Sequence, residues 1–218
     1  MKIFRLNSES SVANHFLAEM RDENIQKDTM RFRRNIERLG ELMAYEVSKD
    51  LPYVTKTVKT PLGESEIPML EKQPILMTVL RAGLPFYNGF MNILDQASSG
   101  FIGAYRTPNP DAEDGFEIDL GYAAYPNLEG RDLIIVDPML ATGRSLVDSI
   151  EKAIEKGNPR SIHIVAIIAA PEGVAYVKER MGDRCSVWLC AEDSHLNEKS
   201  YIIPGLGDAG DLAFGSKD

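Results

Sequence analysis

The sequence predicts an α/β protein: a doubly wound, mainly parallel central sheet with helices on both faces. Two observations predict it. From residue 74 onward, apolar runs alternate with amphipathic segments, as strand–helix–strand units do. The runs LIIV (133–136) and IHIVAIIAA (162–170) are apolar at nearly every position, which marks strands covered on both faces. In such sheets ligands bind beyond the carboxyl ends of the strands, where the strand order reverses. The residues that directly follow the strands are therefore the candidates for chemistry.

The elements follow in chain order. The first fifty residues read as helical: Phe32, Ile36, Leu39, Met43 and Val47 recur at three- and four-residue spacings with charges between them. Residues 53–69, YVTKTVKTPLGESEIPM, alternate β-branched and polar residues around a Thr-Pro-Leu-Gly turn and predict a protruding β-hairpin arm. An exposed hairpin has sticky edges, and a second copy of the chain is one way to cover them. Then come PILMTVL as a strand, LPFYNGFMNILD as a helix and FIGAYR as a strand. Residues 106–130 are rich in Pro, Gly and acids and too long for an ordinary connection, so a mobile flap is expected there. LIIVD, SLVDSIEKAIEKG, IHIVAIIAA, EGVAYVKERMG and SVWLCAE continue the strand and helix alternation. The glycine-rich tail, 201–218, is not expected to form a packed helix.

At 218 residues the chain is expected to form one domain, 1–218. It is 44% hydrophobic and 26% charged, ordinary globular usage. A net charge of −9 works against unspecific binding to nucleic acid or to anionic lipid, both of which need clustered cations. No apolar run is long enough to span a bilayer and the N-terminus lacks a secretory apolar core, so cytoplasmic residence is expected. Cys185 and Cys190 lie five apart in a strand-like segment and read as small core thiols on opposite faces. His15, His163 and His195 match no metal-ligand spacing.

The chemistry concentrates in LIIVDPMLATGRSL. Asp137 ends a strand, and the turn that follows opens a helix whose apolar stripe is Leu146, Val147, Ile150, Ala153 and Ile154. Helix N-terminal amides with the Thr142 and Ser145 hydroxyls make a phosphate cradle. A carboxylate beside an anion site makes sense if it accepts hydrogen bonds from sugar hydroxyls, so the two features point to a phosphorylated sugar. Neither a Walker P-loop nor a Rossmann glycine fingerprint is present. Arg81 and Arg106 each end an apolar strand and are the cations available to a diphosphate. In the tail, Gly205, Gly207 and Gly210 let backbone approach a planar base.

VDPMLATGRS resembles the phosphoribosyl diphosphate (PRPP) motif of uracil phosphoribosyltransferases. TVLRAGLPF resembles the family's Leu-Arg-Ala-Gly loop, and YIIPGLGDAGDLAFG its uracil site. With GFIGAYR, the similarity takes in most of residues 74–216. The resemblance implies the type I phosphoribosyltransferase fold with N-terminal helices, the hairpin arm and a C-terminal base-binding hood at 201–218. It implies that uracil and PRPP give UMP and diphosphate, with Mg2+ bound with PRPP, and it adds GTP binding and a homodimer or higher homo-oligomer as expectations.

By the resemblance PRPP falls to Arg81, Ala82, Gly83, Arg106, Asp137, Pro138, Met139, Leu140, Ala141, Thr142, Gly143, Arg144, Ser145 and Asp208. Uracil falls to Ile202, Gly207, Asp208 and Ala209. Catalytic roles go to Asp137, Arg106 and Asp208, with Asp208 also an indirect Mg2+ partner through water. Pro138 stands where many phosphoribosyltransferases carry a second acid, so Asp137 has no neighbouring carboxylate with which to chelate metal. Three departures stand out: Arg144 replaces a usual glycine, Leu212 a common arginine, and the segment after Arg106 lacks the family's acidic start. The alternatives are a PRPP- or nucleotide-binding regulator of the same fold with weak or no catalysis, and an RNA-binding regulator. The net charge of −9 argues against the second.

Overall fold

The computed structural model describes residues 1–108 and 116–216, without the side chains of 104–120. Its elements in chain order are β1 (Lys2–Arg5), α1 (Ala13–Arg21), α2 (Thr29–Ser48), β2 (Tyr53–Thr60), β3 (Gly63–Leu70), β4 (Ile75–Leu80), α3 (Leu84–Ile93), β5 (Ser98–Pro108), β6 (Phe116–Ala124) and β7 (Asp132–Val136). There follow β8 (Met139–Leu140), α4 (Arg144–Ile154), β9 (Ser161–Ala169), α5 (Pro171–Met181), β10 (Cys185–Glu192), β11 (His195–Leu196), β12 (Ile202–Ile203) and α6 (Ala209–Phe214).

The main sheet runs β1-β10-β9-β7-β4-β5-β6, with the two-residue β8 added beside β9. Every pairing is parallel except β5 with β6. After β4 the chain first moves outward to β5, then returns to the other side of β4 for β7, β9 and β10. The order therefore reverses between β4 and β7, and their carboxyl ends, at Leu80 and Val136, open one crevice.

Period-two alternation sorts the strand side chains onto two cores. Ile134 and Val136 join Phe32, Ile36, Phe86 and Phe90 under α1, α2 and α3. Leu133 and Ile135 join Val147, Ile150 and Val177 under α4 and α5. α2 and α3 cross at Gly40 and Gly89, where a side chain on either would strike the other helix's backbone. Toward the amino ends of the strands a chain of partners links three strands: Trp188 Nε1 donates to His163 Nδ1 (3.2 Å), His163 Nε2 meets Ser161 Oγ (3.0 Å), and Ser161 Oγ donates to Asp132 (2.7 Å). Arg160 grips both oxygens of Asp132 at 3.0 and 2.5 Å.

Three sequence expectations need correction. Residues 2–5 are not helical but form an edge strand, held by register with Ser186–Leu189 that no local pattern announces. The expected flap, 106–130, begins and continues as strand: β5 reaches Pro108 and β6 spans Phe116–Ala124, with residues 109–115 outside the described residues. The hairpin expected at 53–69 is present, as the separate two-stranded sheet β2–β3. The tail does contain a packed helix: α6 buries Ala209 and Ala213, is capped by the Asp208 side chain on Asp211 N (3.0 Å), and takes a 2.6 Å bond from Arg33 of α2 to Ala213 O. The glycines that argued against it mostly lie outside its six residues. The cysteines face opposite cores, Cys190 beneath α1–α3 and Cys185 beneath α4–α5, and burial raises both thiols, Cys185 to about 11. No described helix is long and apolar enough to cross a membrane.

Candidate active site

The crevice between β4 and β7 opens into a cleft of about 550 Å³. One wall is the turn after β7. Asp137 N donates to Val165 O (3.1 Å), fixing the residue to the neighbouring strand, and Asp137 Oδ1 accepts from Met139 N (3.1 Å). Burial among protein atoms raises the Asp137 carboxyl to about 6, partly opposed by that one hydrogen bond. Pro138 is a splint: its carbonyl accepts from both Ile167 N and Ile168 N at 3.1 Å, so the turn is tied to β9.

Ala141, Thr142 and Gly143 then bend the chain into α4. Gly143 sits at φ +77°, and a Cβ there would stand 2.9 Å from Gly173 O; both facts require glycine. Thr142 Oγ1 accepts from Arg144 N at 3.4 Å, and the first intrahelical bond shown is Val147 N to Gly143 O (3.0 Å). The amides of the first turn thus face outward beside the Thr142 and Ser145 hydroxyls, with the positive end of an eleven-residue helix behind them.

The opposite wall comes from the loop after β4 and from the hood. Arg81 and Ala82 line it together with Gly207, Asp208 and Ala209. Arg81 is half-exposed; its Nη2 donates to Gly215 O at 3.1 Å and lies 3.6 Å from Asp211. The peptides Leu80–Arg81 and Ile203–Pro204 are cis. Asp208 spends one carboxylate oxygen on capping α6. Among the described residues no cluster of three or more His, Cys, Asp or Glu side chains forms a metal cage.

Twelve of the sequence-derived site residues thus share one cleft: Arg81, Ala82, Asp137, Met139, Leu140, Ala141, Thr142, Gly143, Ser145, Gly207, Asp208 and Ala209. Gly83, Pro138, Arg144 and Ile202 do not line it. Ile202 is buried in β12 against the α1–α3 core. Arg144 places its guanidinium over the Tyr176 ring of α5, 5.9 Å from the centroid, and is not among the residues that line the cleft. Arg106 lies on β5 opposite Ile118, and its side chain is outside the described residues. Sequence reasoning missed Lys199, Ser200 and Tyr201, which close the cleft from the β11–β12 connection. Their signal was a cation and an aromatic at the entry to the glycine-rich tail.

The chain is similar to known proteins over nearly its whole length. The family model described as uracil phosphoribosyltransferase matches residues 7–216. A Porphyromonas gingivalis protein named uracil phosphoribosyltransferase is 48% identical over the whole of both chains. One of the same name from Pyrococcus furiosus is 38% identical, covering 91% of this chain and 84% of its own. Among solved structures, a protein from Aquifex aeolicus superposes with a TM-score of 0.85 at 31% identity over 98% of both chains. A hypoxanthine-guanine phosphoribosyltransferase from Bacillus anthracis, at 13% identity, superposes with a TM-score of 0.50 over 72% of this chain and 78% of its own, a likeness of fold.

Proposed function

The chain belongs to the uracil phosphoribosyltransferase family, and on that premise we propose how its cleft transfers phosphoribose from PRPP to uracil, giving UMP and diphosphate. The observation that carries the reading is the meeting, at the sheet's reversal point, of Asp137 and the turn 141–145 with the glycine-rich segment 207–209. A phosphorylated sugar fits the first wall and a planar base the second.

Ala141 to Ser145 take the 5-phosphate with outward amides and two hydroxyls, while Asp137, ionised, accepts hydrogen bonds from the ribose hydroxyls. The sugar is then held at both ends, and its anomeric carbon is presented to the hood. Breaking the bond to diphosphate builds positive charge at that carbon and negative charge on the leaving group, so the protein's work is positioning and electrostatics. Arg81 and Arg106 supply charge to the diphosphate. Mg2+ bound with PRPP would supply further neutralisation of that charge, and among the described residues Asp208 is the acid beside the diphosphate that would address it. The contact would run through water, from the Asp208 carboxylate oxygen that does not cap α6. Backbone donors and acceptors at 207–209 read the uracil edge, and cytosine is rejected because its donor pattern leaves buried groups unpaired.

The protein acts as a homodimer through the hairpin β2–β3. Val54, Ile67 and Met69 sit on one face of it and are about 40% exposed, an apolar patch on an arm with two free edges. Its oligomeric state by light scattering, with Ile67→Lys as the disrupting variant, tests this. The regulator reading is weaker, since Asp137, Arg81 and Asp208 all line the cleft.

The site assignment is tested by paired kinetics. Thr142→Val and Arg81→Ala should raise KM for PRPP with KM for uracil little changed, and Gly207→Ala should do the reverse. Equal effects on both substrates refute the division of the cleft.

A further inference from the structure

Asp193 follows β10, with its N–H anchored on Ala169 O at 2.8 Å, and its carboxylate is 4% exposed. Arg21, the last residue of α1, reaches it with both terminal nitrogens, Nη1 to Oδ2 at 2.8 Å and Nη2 to Oδ1 at 2.5 Å. The same Asp193 Oδ2 accepts from Gly205 N (2.9 Å), and the same Arg21 Nη1 donates to Gly205 O (2.8 Å). One residue of the hood is therefore held at both its N–H and its C=O by one part-buried ion pair. Gly205 lies at φ +63°, where a Cβ would strike Ile202 O, so this residue cannot be replaced by a stiffer one that would hold the shape unaided.

The geometry points to Arg21 and Asp193 as a positioning pair for uracil: they set the path of the backbone that enters Leu206–Ala209 and so the register of the base-reading groups, without touching either substrate. This rests on the assignment of 207–209 to uracil made above. An arginine is required because its planar fork alone can meet a carboxylate bidentately and a carbonyl with the same nitrogen. A carboxylate is required because three donors converge on it. The pair joins α1 to the strand ends, so the N-terminal helix, remote in sequence, takes part in base recognition.

The test uses Arg21→Ala, Arg21→Lys and Asp193→Asn, with Gly207→Ala as a hood control. Loss of a charge-assisted clamp should raise KM for uracil about tenfold or more in Arg21→Ala, with KM for PRPP within about twofold. Arg21→Lys, which keeps the charge but loses the fork, should fall between. Arg21 lines an open cleft of about 470 Å³ with Gln26 and Gly205, so millimolar guanidinium has a route to the vacated position and should restore KM for uracil in Arg21→Ala. Should Arg21→Ala not fold, the same split in Arg21→Lys decides. Parallel changes in both KM values, or unchanged KM for uracil in Arg21→Ala and Arg21→Lys while Gly207→Ala raises it, overturn the inference. If Gly207→Ala also leaves KM for uracil unchanged, it is the uracil assignment of 207–209 that falls.

Discussion

Replacing Asp137 by Asn separates two consequences of burying a carboxylate at the floor of the cleft. In the folded protein this carboxyl titrates near 6, against an ordinary 3.8, chiefly because burial disfavours its charge. Binding the ribose hydroxyls requires the ionised form. At pH 5 only about one molecule in ten carries it, and at pH 8 nearly all do, so kcat/KM for PRPP should fall about tenfold between those values. Asp137→Asn should be poorly active at every pH and should lose this acid limb.

Stability should move the other way. Between 3.8 and 6 the folded protein keeps a proton that the unfolded chain has released, so this group's contribution favours folding at low pH and is lost as pH rises through that window. The gap of about two pH units corresponds to a cost on the order of 3 kcal/mol at pH 8. Asn avoids it, so the variant should melt roughly 5 °C or more higher at pH 8 and show little difference at pH 4. Scanning calorimetry and initial-rate profiles over pH 4.5–8.5 read both effects. An acid limb near 6 that survives in Asp137→Asn, or a variant less stable than the parent at pH 8, would refute the reasoning.

Further outcomes are expected elsewhere. Gly143→Ala forces a side chain into a left-handed position 2.9 Å from Gly173 O, and should cost about 1–3 kcal/mol in urea unfolding while raising KM for PRPP. Phe86→Ala empties a fully buried site that packs edge-on to Phe90 at 5.6 Å, and should cost about 3–5 kcal/mol with substrate affinities unchanged at low temperature. His163 is kept neutral by burial, its pKa held below 6.5, so the unfolded chain gains the proton first and stability rises with pH through the window below 6.5, opposite in sign to Asp137. In an Asp137→Asn background, His163→Phe should reduce that rise in a calorimetric pH series, and an unchanged rise would contradict it.

The central strands were legible because burial on both faces leaves an unbroken apolar run, as at Leu133–Val136. Their carboxyl ends then located Arg81 and Asp137. The edge strands were not: β1 is four residues long and depends on β10, some 180 residues away, and β6 reads as an acidic, glycine-containing loop until it pairs with β5. α6 is hidden by the glycine-rich composition of the tail as a whole, whereas the helix needs only a cap at Asp208 and two small residues against α2. The Arg21–Asp193 clamp had no sequence signal, since its members are 172 positions apart and neither carries a motif of its own. Arg144 shows the converse: conspicuous in the sequence, it lies over Tyr176 and is not among the residues that line the cleft.

The measurement that bears most directly on the account is nucleotide and diphosphate formation from PRPP and Mg2+ with uracil, cytosine, orotate, hypoxanthine and xanthine offered singly. Uracil alone should be converted, with stoichiometric diphosphate release, and Asp137→Asn should depress that conversion. Turnover of a purine or of orotate in place of uracil, or PRPP binding without turnover of any base, contradicts it.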